Sequence, residues 1–429
     1  MTRRAARGLV VCVSLCAALA GSLPPALAVA YGGIQAAGPA TSWNPGKALA
    51  ASDEALLSAW ASDCPPPKGK CARDSTPKMG VYIQRSPAGA RPAAWKKPIR
   101  VSPGSRQAER ASVGADGSLA AVGWVTQTSY LHYEPAARRV FWMRVSTDGG
   151  VSWRGALQMT VADGRVDYPR IAVSESVIYA TWTNAATGEV RLGISDDAGA
   201  TWTKRTLATS SAHADGNPEG FAALPDVGAS GQNVVVVWQG DDGGAVEMIG
   251  SNDGGSSWGS VTELSSASEE PGLDYAAAQG ASDGVSHRVA IAYGTDGGIG
   301  VRTFDGGGLS GPRDDPFDWP APISGVTFVG GYGPAIAPFG TDGLVVAAAA
   351  CRNTCDTSNA NARIDVVTTE SGDDGQSWST PIRLTDASQA PYRINDEPSI
   401  ALTSGARRIA FDRYQTSFTN YRVGMRSGS

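Results

Sequence analysis

The sequence predicts an all-β fold of six repeated four-stranded antiparallel units, seven being the alternative count, with a short N-terminal arm outside them. Three observations carry this prediction. A turn-like phrase occurs four times, a small apolar hairpin occurs six times, and 53 Gly with only 18% charged residues are spread over 429 positions. Such a composition suits short strands joined by tight turns.

The repeated phrase is Ser146-Thr147-Asp148-Gly149-Gly150-Val151-Ser152-Trp153, which returns from Ser195 to Trp202, from Ser251 to Trp258 and from Ser371 to Trp378. All four fit Ser-x-Asp-x-Gly-x-(Ser/Thr)-Trp. Asp accepts hydrogen bonds from nearby backbone N–H groups, and Gly adopts φ > 0 without a Cβ clash, so the phrase reads as a turn between strands. The indole that closes it offers an apolar face for a neighbouring sheet. A degraded copy, Thr303 to Ser310 around Asp305, fills the double-length gap between the third and fourth copies, and another lies around Ser86 to Trp95.

The inner hairpins lie between these outer turns. They run over 111–124, 170–182, 221–238, 275–293, 335–347 and 399–411, and their strands are small and apolar on both faces, as strands buried near an axis should be. Six of them predict six blades. Both Val81 to Gln84 and Tyr421 to Met425 are competent third strands for the sheet that joins the chain ends.

The phrase resembles the Asp-box of sialidases and related β-propellers, and the resemblance covers residues 79–427. It implies that each box occupies the rim turn between the third and fourth strands of a blade, on the face away from the central site. Asp148, Trp153, Asp197, Trp202, Asp253, Trp258, Asp305, Asp373 and Trp378 are therefore expected to be structural. Asp-boxes also occur in lectin-like and receptor propellers, so the resemblance is more specific for fold than for activity.

Ahead of the propeller, Arg3, Arg4 and Arg7 precede an apolar run and an Ala26-Leu27-Ala28 cleavage signal, so residues 1–28 read as a secretory signal peptide. Removing it takes three Arg and no acid, which leaves a net charge of −8 and disfavours nucleic acid and anionic membranes as partners. No stretch is long and apolar enough to span a membrane as a helix. Residues 29–78 form the arm, with a helix-like stretch over 45–63 where Leu49, Leu56, Leu57 and Trp60 fall near helical spacing, followed by a Cys64–Cys71 loop. In an exported chain, Cys64 with Cys71 and Cys351 with Cys355 read as small-loop disulfides. His132, His213 and His287 stand beside no cysteine, so no metal and no cofactor is expected.

Function is expected at the mouth opposite the boxes, where loops lead into the inner hairpins. Carboxylates, Tyr and Arg gather in those loops and in the links from second to third strand. The candidates are Arg110, Asp167, Tyr168, Arg170, Asp274, Tyr275, Tyr392, Arg393, Asp396, Glu397, Arg413 and Tyr414. The resemblance to sialidases implies three Arg on a sugar carboxylate, a Tyr nucleophile assisted by Glu, and an Asp acid/base. The Arg-Ile-Pro motif that carries the family's first arginine does not occur here; Pro169-Arg170-Ile171 and Tyr392-Arg393-Ile394 are the nearest phrases. The expected function is recognition of an extracellular glycan or other surface ligand by a secreted monomer. The alternative is an exo-α-sialidase or related exo-glycoside hydrolase.

Overall fold

Second strands such as Leu119–Gln127 and Gly343–Cys351 are buried along their whole length, and the structure gives the reason: each lies between the sheets on either side of its own. The structure is a computed structural model. It describes residues 35–36, 42–43, 49–62, 79–90, 94–103, 107–127, 139–160, 166–184, 186–209, 224–240, 245–265, 276–280, 287–295, 298–313, 315–318, 321–356, 359, 361–388, 393–403, 406–415 and 419–428. These residues form strands and turns, with no helix among them, so the expected all-β class of four-stranded antiparallel sheets is what the chain builds.

The first sheet is made of Leu49–Ala51, Ala55–Ser62, Gly80–Pro87 and Ile99–Arg100. The second comprises Gln107–Asp116, Leu119–Gln127, Arg139–Ser146 and Leu157–Gln158, and the third Val166–Ser174, Val177–Asn184, Glu189–Ser195 and Thr203–Thr209. Asp226–Ser230, Asn233–Gln239, Val246–Ser251 and Thr262–Ser265 make the fourth. The fifth has Ala276–Gly280, Val289–Thr295 and Gly298–Phe304, with its fourth place held by the bridges Phe304↔Leu309 and Val301↔Arg313. Gly330–Phe339, Gly343–Cys351, Ile364–Ser371 and Ile382–Arg383 form the sixth. In the seventh, Ile394–Thr403, Ala406–Gln415 and Thr419–Gly428 are completed on the outside by Gln35–Ala36 from the N-terminal region.

The first sheet corrects the sequence reading of 45–63 as helical. Ala55–Ser62 is a strand buried along its whole length, so it shows no period-two alternation that would have marked it. Its Trp60 occupies the place that Trp124, Trp182 and Trp238 hold in the next three second strands, and all four are enclosed. Trp60 stacks on Tyr82 of the third strand at 6.2 Å between centroids. Val81 to Gln84 thus belongs to the first sheet and Tyr421 to Met425 to the seventh. The signal peptide and the Cys64–Cys71 loop lie outside the described residues, and Cys351–Cys355 is bonded.

First strands touch their neighbours in sequence order. Leu49–Ala51 contacts Gln107–Asp116, and the contacts pass on through Val166–Ser174, Asp226–Ser230, Ala276–Gly280 and Gly330–Phe339 to Ile394–Thr403, which contacts Leu49–Ala51. Their small residues permit that approach: a Cβ on Gly228 would lie 2.7 Å from the backbone N of Gln279. Ala50, Val113, Ala172, Val227 and Gln279 line one narrow channel between them.

The boxes fix which end is which. Ser146 Oγ donates to Asp148 Oδ1 (2.7 Å) and accepts from Gly150 N (2.8 Å), while Asp148 Oδ1 accepts from Ser152 N (2.8 Å). Asp197, Asp253 and Asp373 repeat the pattern. Each of the four boxes joins a third strand to a fourth. Gly149 N donates to Ser118 O, Gly254 N to Gln232 O and Asp374 N to Asp342 O, so the boxes share an end with the turns inside the first hairpins. The starts of the first strands therefore lie at the other end.

Candidate functional site

A second repeat shapes that other end. Four first strands begin with a bulge, the register shifting between Glu109 and Ser112, Asp167 and Arg170, Tyr332 and Ala335, and Asp396 and Ser399. In each bulge the residue after the first of these has positive φ: Arg110 at 54°, Tyr168 at 48°, Gly333 at 56° and Glu397 at 47°. The sequence behind it is a left-handed residue, then Pro or Ala, any residue, Ile or Val, and Ala or Gly: Tyr168-Pro-Arg-Ile-Ala, Glu397-Pro-Ser-Ile-Ala, Gly333-Pro-Ala-Ile-Ala and Arg110-Ala-Ser-Val-Gly. Leu224-Pro-Asp-Val-Gly fits as well, with Leu224 at 36°. A bulge re-aims its side chain out of the ladder, and non-Gly residues held at positive φ concentrate at functional sites.

The third position of the phrase ties one sheet to another. Ser112 Oγ accepts from Ile171 N (3.1 Å), Asp226 Oδ2 from Ala278 N (3.0 Å) and Ser399 Oγ from Leu49 N (3.2 Å). The left-handed residues are thus mounted on a frame braced from strand to strand.

Arg110, Tyr168 and Glu397 come together with their neighbours. Arg110 Nε meets Asp167 Oδ1 at 2.5 Å, and its guanidinium lies over the Tyr168 ring, 4.1 Å from the centroid. Arg139, from the start of a third strand, pairs with Asp167 Oδ2. Asp167 and Tyr168 are buried. Burial opposes the charge of Arg110, but Asp167, Tyr168 and Glu109 outweigh it and hold the guanidinium above its ordinary value. Burial pushes the Tyr168 phenol up, with Arg110 pulling the other way. The Glu397 carboxyl is pushed up to about 8, by burial first and then by Asp396, against the pull of Arg170 and Arg110. A carboxylic acid that keeps its proton near neutrality can donate a hydrogen bond or a proton to an oxygen.

Of the residues expected from sequence, Arg110, Asp167, Tyr168, Arg170, Asp396 and Glu397 form this cluster. Arg393 is exposed, and its carbonyl accepts from Ile364 N (3.0 Å). The parallel bridge Ile364↔Ile394 sets Arg393 beside Arg363, whose pKa is lowered by burial and then by Arg393 and Arg352. Arg413 Nε donates to Asn395 Oδ1 (3.0 Å). Asp274, Tyr275, Tyr392 and the Tyr414 side chain lie outside the described residues. Arg139 was missed, because nothing in its sequence says which face of the third strand it takes. The left-handed phrase was the signal that would have ranked Arg110, Tyr168 and Glu397 above the rest.

No family model matches this chain, and no curated protein matches it by sequence. Among solved structures it is similar to the Trypanosoma rangeli sialidase in complex with the inhibitor DANA, at 9% identity and a TM-score of 0.46, covering 91% of this chain and 55% of that one. The Hadza microbial sialidase Hz136 gives 12% identity and a TM-score of 0.48, over 88% of this chain and 65% of that one. NanB sialidase from Streptococcus pneumoniae gives 10% and 0.45, over 90% and 67%. The chain spans about half the length of the first of these. The likeness is one of outline, and the chemistry of the site rests on its own side chains.

Proposed function

We propose that this chain is a secreted β-propeller of seven blades that recognises an extracellular glycan at the end where its first strands begin. The circle of contacts among first strands supports the ring, with Gln35–Ala36 closing the last blade from outside. The leader-like residues 1–28 support export. The observation that carries the function is the convergence of three left-handed bulge residues, Arg110, Tyr168 and Glu397, on one braced end of the fold. A platform of aromatic face, guanidinium and protonated carboxyl offers the stacking and hydrogen bonds that sugar hydroxyls need. The reading takes the chain as a monomer and needs no metal or cofactor.

A glycan array probed with the parent chain and with Arg110→Ala tests this. The parent is expected to be retained on a defined set of glycans and the variant to lose that retention while keeping its melting temperature within a few degrees. An array that stays empty for the parent contradicts the reading.

Exo-acting glycoside hydrolysis is the second reading, and the protonated Glu397 favours it, since such an acid can protonate a leaving oxygen. It predicts turnover of at least one member of a fluorogenic glycoside panel, α-sialosides included, that Glu397→Gln reduces by about a hundredfold or more. Absence of turnover at high protein concentration leaves recognition as the function.

A further inference from the structure

Arginines gather at the same end of the fold, where the sixth sheet meets the seventh. The third strand Ile364–Ser371 runs into a box, so its start lies with the starts of the first strands. Arg363 stands just ahead of that start. Its carbonyl accepts from Arg352 N (2.9 Å) on one side, and the next residue, Ile364, donates its N–H to Arg393 O (3.0 Å) on the other. Three arginine backbones are thus set side by side on adjoining strands, about 5 Å from one to the next.

Carboxylates do not serve Arg352 and Arg363 alike. Arg352 is held by two of them: its Nε donates to Asp365 Oδ2 (2.8 Å) and its Nη2 to Asp386 Oδ1 (2.8 Å), which Arg383 also approaches at 3.6 Å. Asp365 is enclosed and gives its other oxygen to Thr385 Oγ1 and Ala387 N. Arg363 donates one N–H to Ala362 O (2.8 Å), and among the described residues it forms no ion pair. It is only half-buried, so its guanidinium stays within reach of a solute. The described charges that act on it are Arg393 and Arg352, both repelling. An incoming anion relieves such a group.

We propose that Arg363, with Arg393 beside it, is a subsite for a tetrahedral oxyanion ester, sulfate or phosphate, on the glycan taken at this end; the sugar part of the proposal rests on glycan recognition. A planar carboxylate has two oxygens, and one guanidinium fork fills both. A tetrahedral ester presents three, so it accepts from two guanidiniums on adjoining strands and offsets their mutual repulsion. The protein's own Asp365 and Asp386 do not serve Arg363, because Arg352 engages both. The bonded Cys351–Cys355 and the hydrogen bond from Asn353 Nδ2 to Asn361 O (2.8 Å) fasten the loop between Arg352 and Arg363, so the subsite is set before a ligand arrives.

An array carrying the same oligosaccharides plain, sulfated, phosphorylated and sialylated, probed with the parent chain and with Arg363→Gln, tests this. The parent is expected to bind an ester form about tenfold more tightly than its plain counterpart, the tighter of the two esters naming the source. Arg363→Gln breaks no described ion pair, so it is expected to melt with the parent and to lose the preference. Equal retention of plain and ester forms, a sialylated form retained best, or a preference undiminished in Arg363→Gln overturns the subsite and leaves glycan recognition standing. If no sugar is retained, recognition falls, and melting curves in inorganic sulfate decide the subsite. A larger rise in melting temperature for the parent than for Arg363→Gln then sustains it, and equal rises overturn it.

Discussion

Glu397 holds a proton that an ordinary glutamate loses near 4.5 and that this one keeps to about 8, because it is buried beside Asp396. Between those values the folded chain binds the proton and the unfolded chain does not. Its contribution to stability is therefore complete below the unfolded value and is lost as pH rises through about 8. Melting curves taken from mildly acidic to mildly alkaline pH should show the parent losing ground to Glu397→Gln as pH rises; parallel curves would contradict the assignment. The box aspartates have the opposite sign. Hydroxyl hydrogen bonds, from Ser152 to Asp148, Thr201 to Asp197 and Ser257 to Asp253, hold these carboxyls at about 2 against an ordinary 3.8. Their stabilisation is present above the ordinary value and is lost as pH falls through about 2. Asp253→Asn should flatten the acid limb of the stability curve, and an unchanged limb would show that the turn does not depend on this charge.

At the scale of the element, each box glycine packs against the sheet before its own. A Cβ on Gly199 would lie 2.8 Å from Val145 Cγ2, one on Gly255 2.5 Å from Ile194 Cδ1, and one on Gly150 2.7 Å from Leu57 Cδ2. Since Gly199 also has φ near 84°, Gly199→Val should cost about 1–3 kcal/mol in urea denaturation, and a cost near zero would mean that the box does not brace its neighbour. The box was legible in the sequence because every constrained position answers a local demand, for an acceptor, a positive φ or an apolar face. The bulge phrase was not, because its left-handed position holds Arg, Tyr or Glu as readily as Gly, so nothing at that position announces the backbone. Six of the expected site residues nevertheless fell in the cluster, since they flank strands whose apolar cores were plain. Their pairing across sheets, Arg139 with Asp167 above all, depends on how the sheets are set against one another.

For the whole molecule, the stretch that misled was Ala55–Ser62, buried on both faces and so without the alternation that betrays a strand. Its hairpin joins the ends of the chain: Leu49, Trp60 and Tyr82 pack in one cluster with Ala401 and Ala410 of the last sheet, and Arg408 Nη2 donates to Ala90 O at 2.6 Å. Trp60→Ala should therefore cost about 3–5 kcal/mol, as for any aromatic removed from a core; a cost below about 1 kcal/mol would return this segment to the role of a peripheral arm. On the proposed reading, a fold braced by boxes at one end and carrying its left-handed bulges at the other separates stability from recognition. Hydrogen exchange of the free and glycan-bound chain reads that separation directly. Protection is predicted at Arg110, Tyr168 and Glu397 and the strand starts around them, with the boxes from Ser146, Ser195, Ser251 and Ser371 unchanged. Protection confined to the boxes, with the bulges exchanging as before, would contradict it.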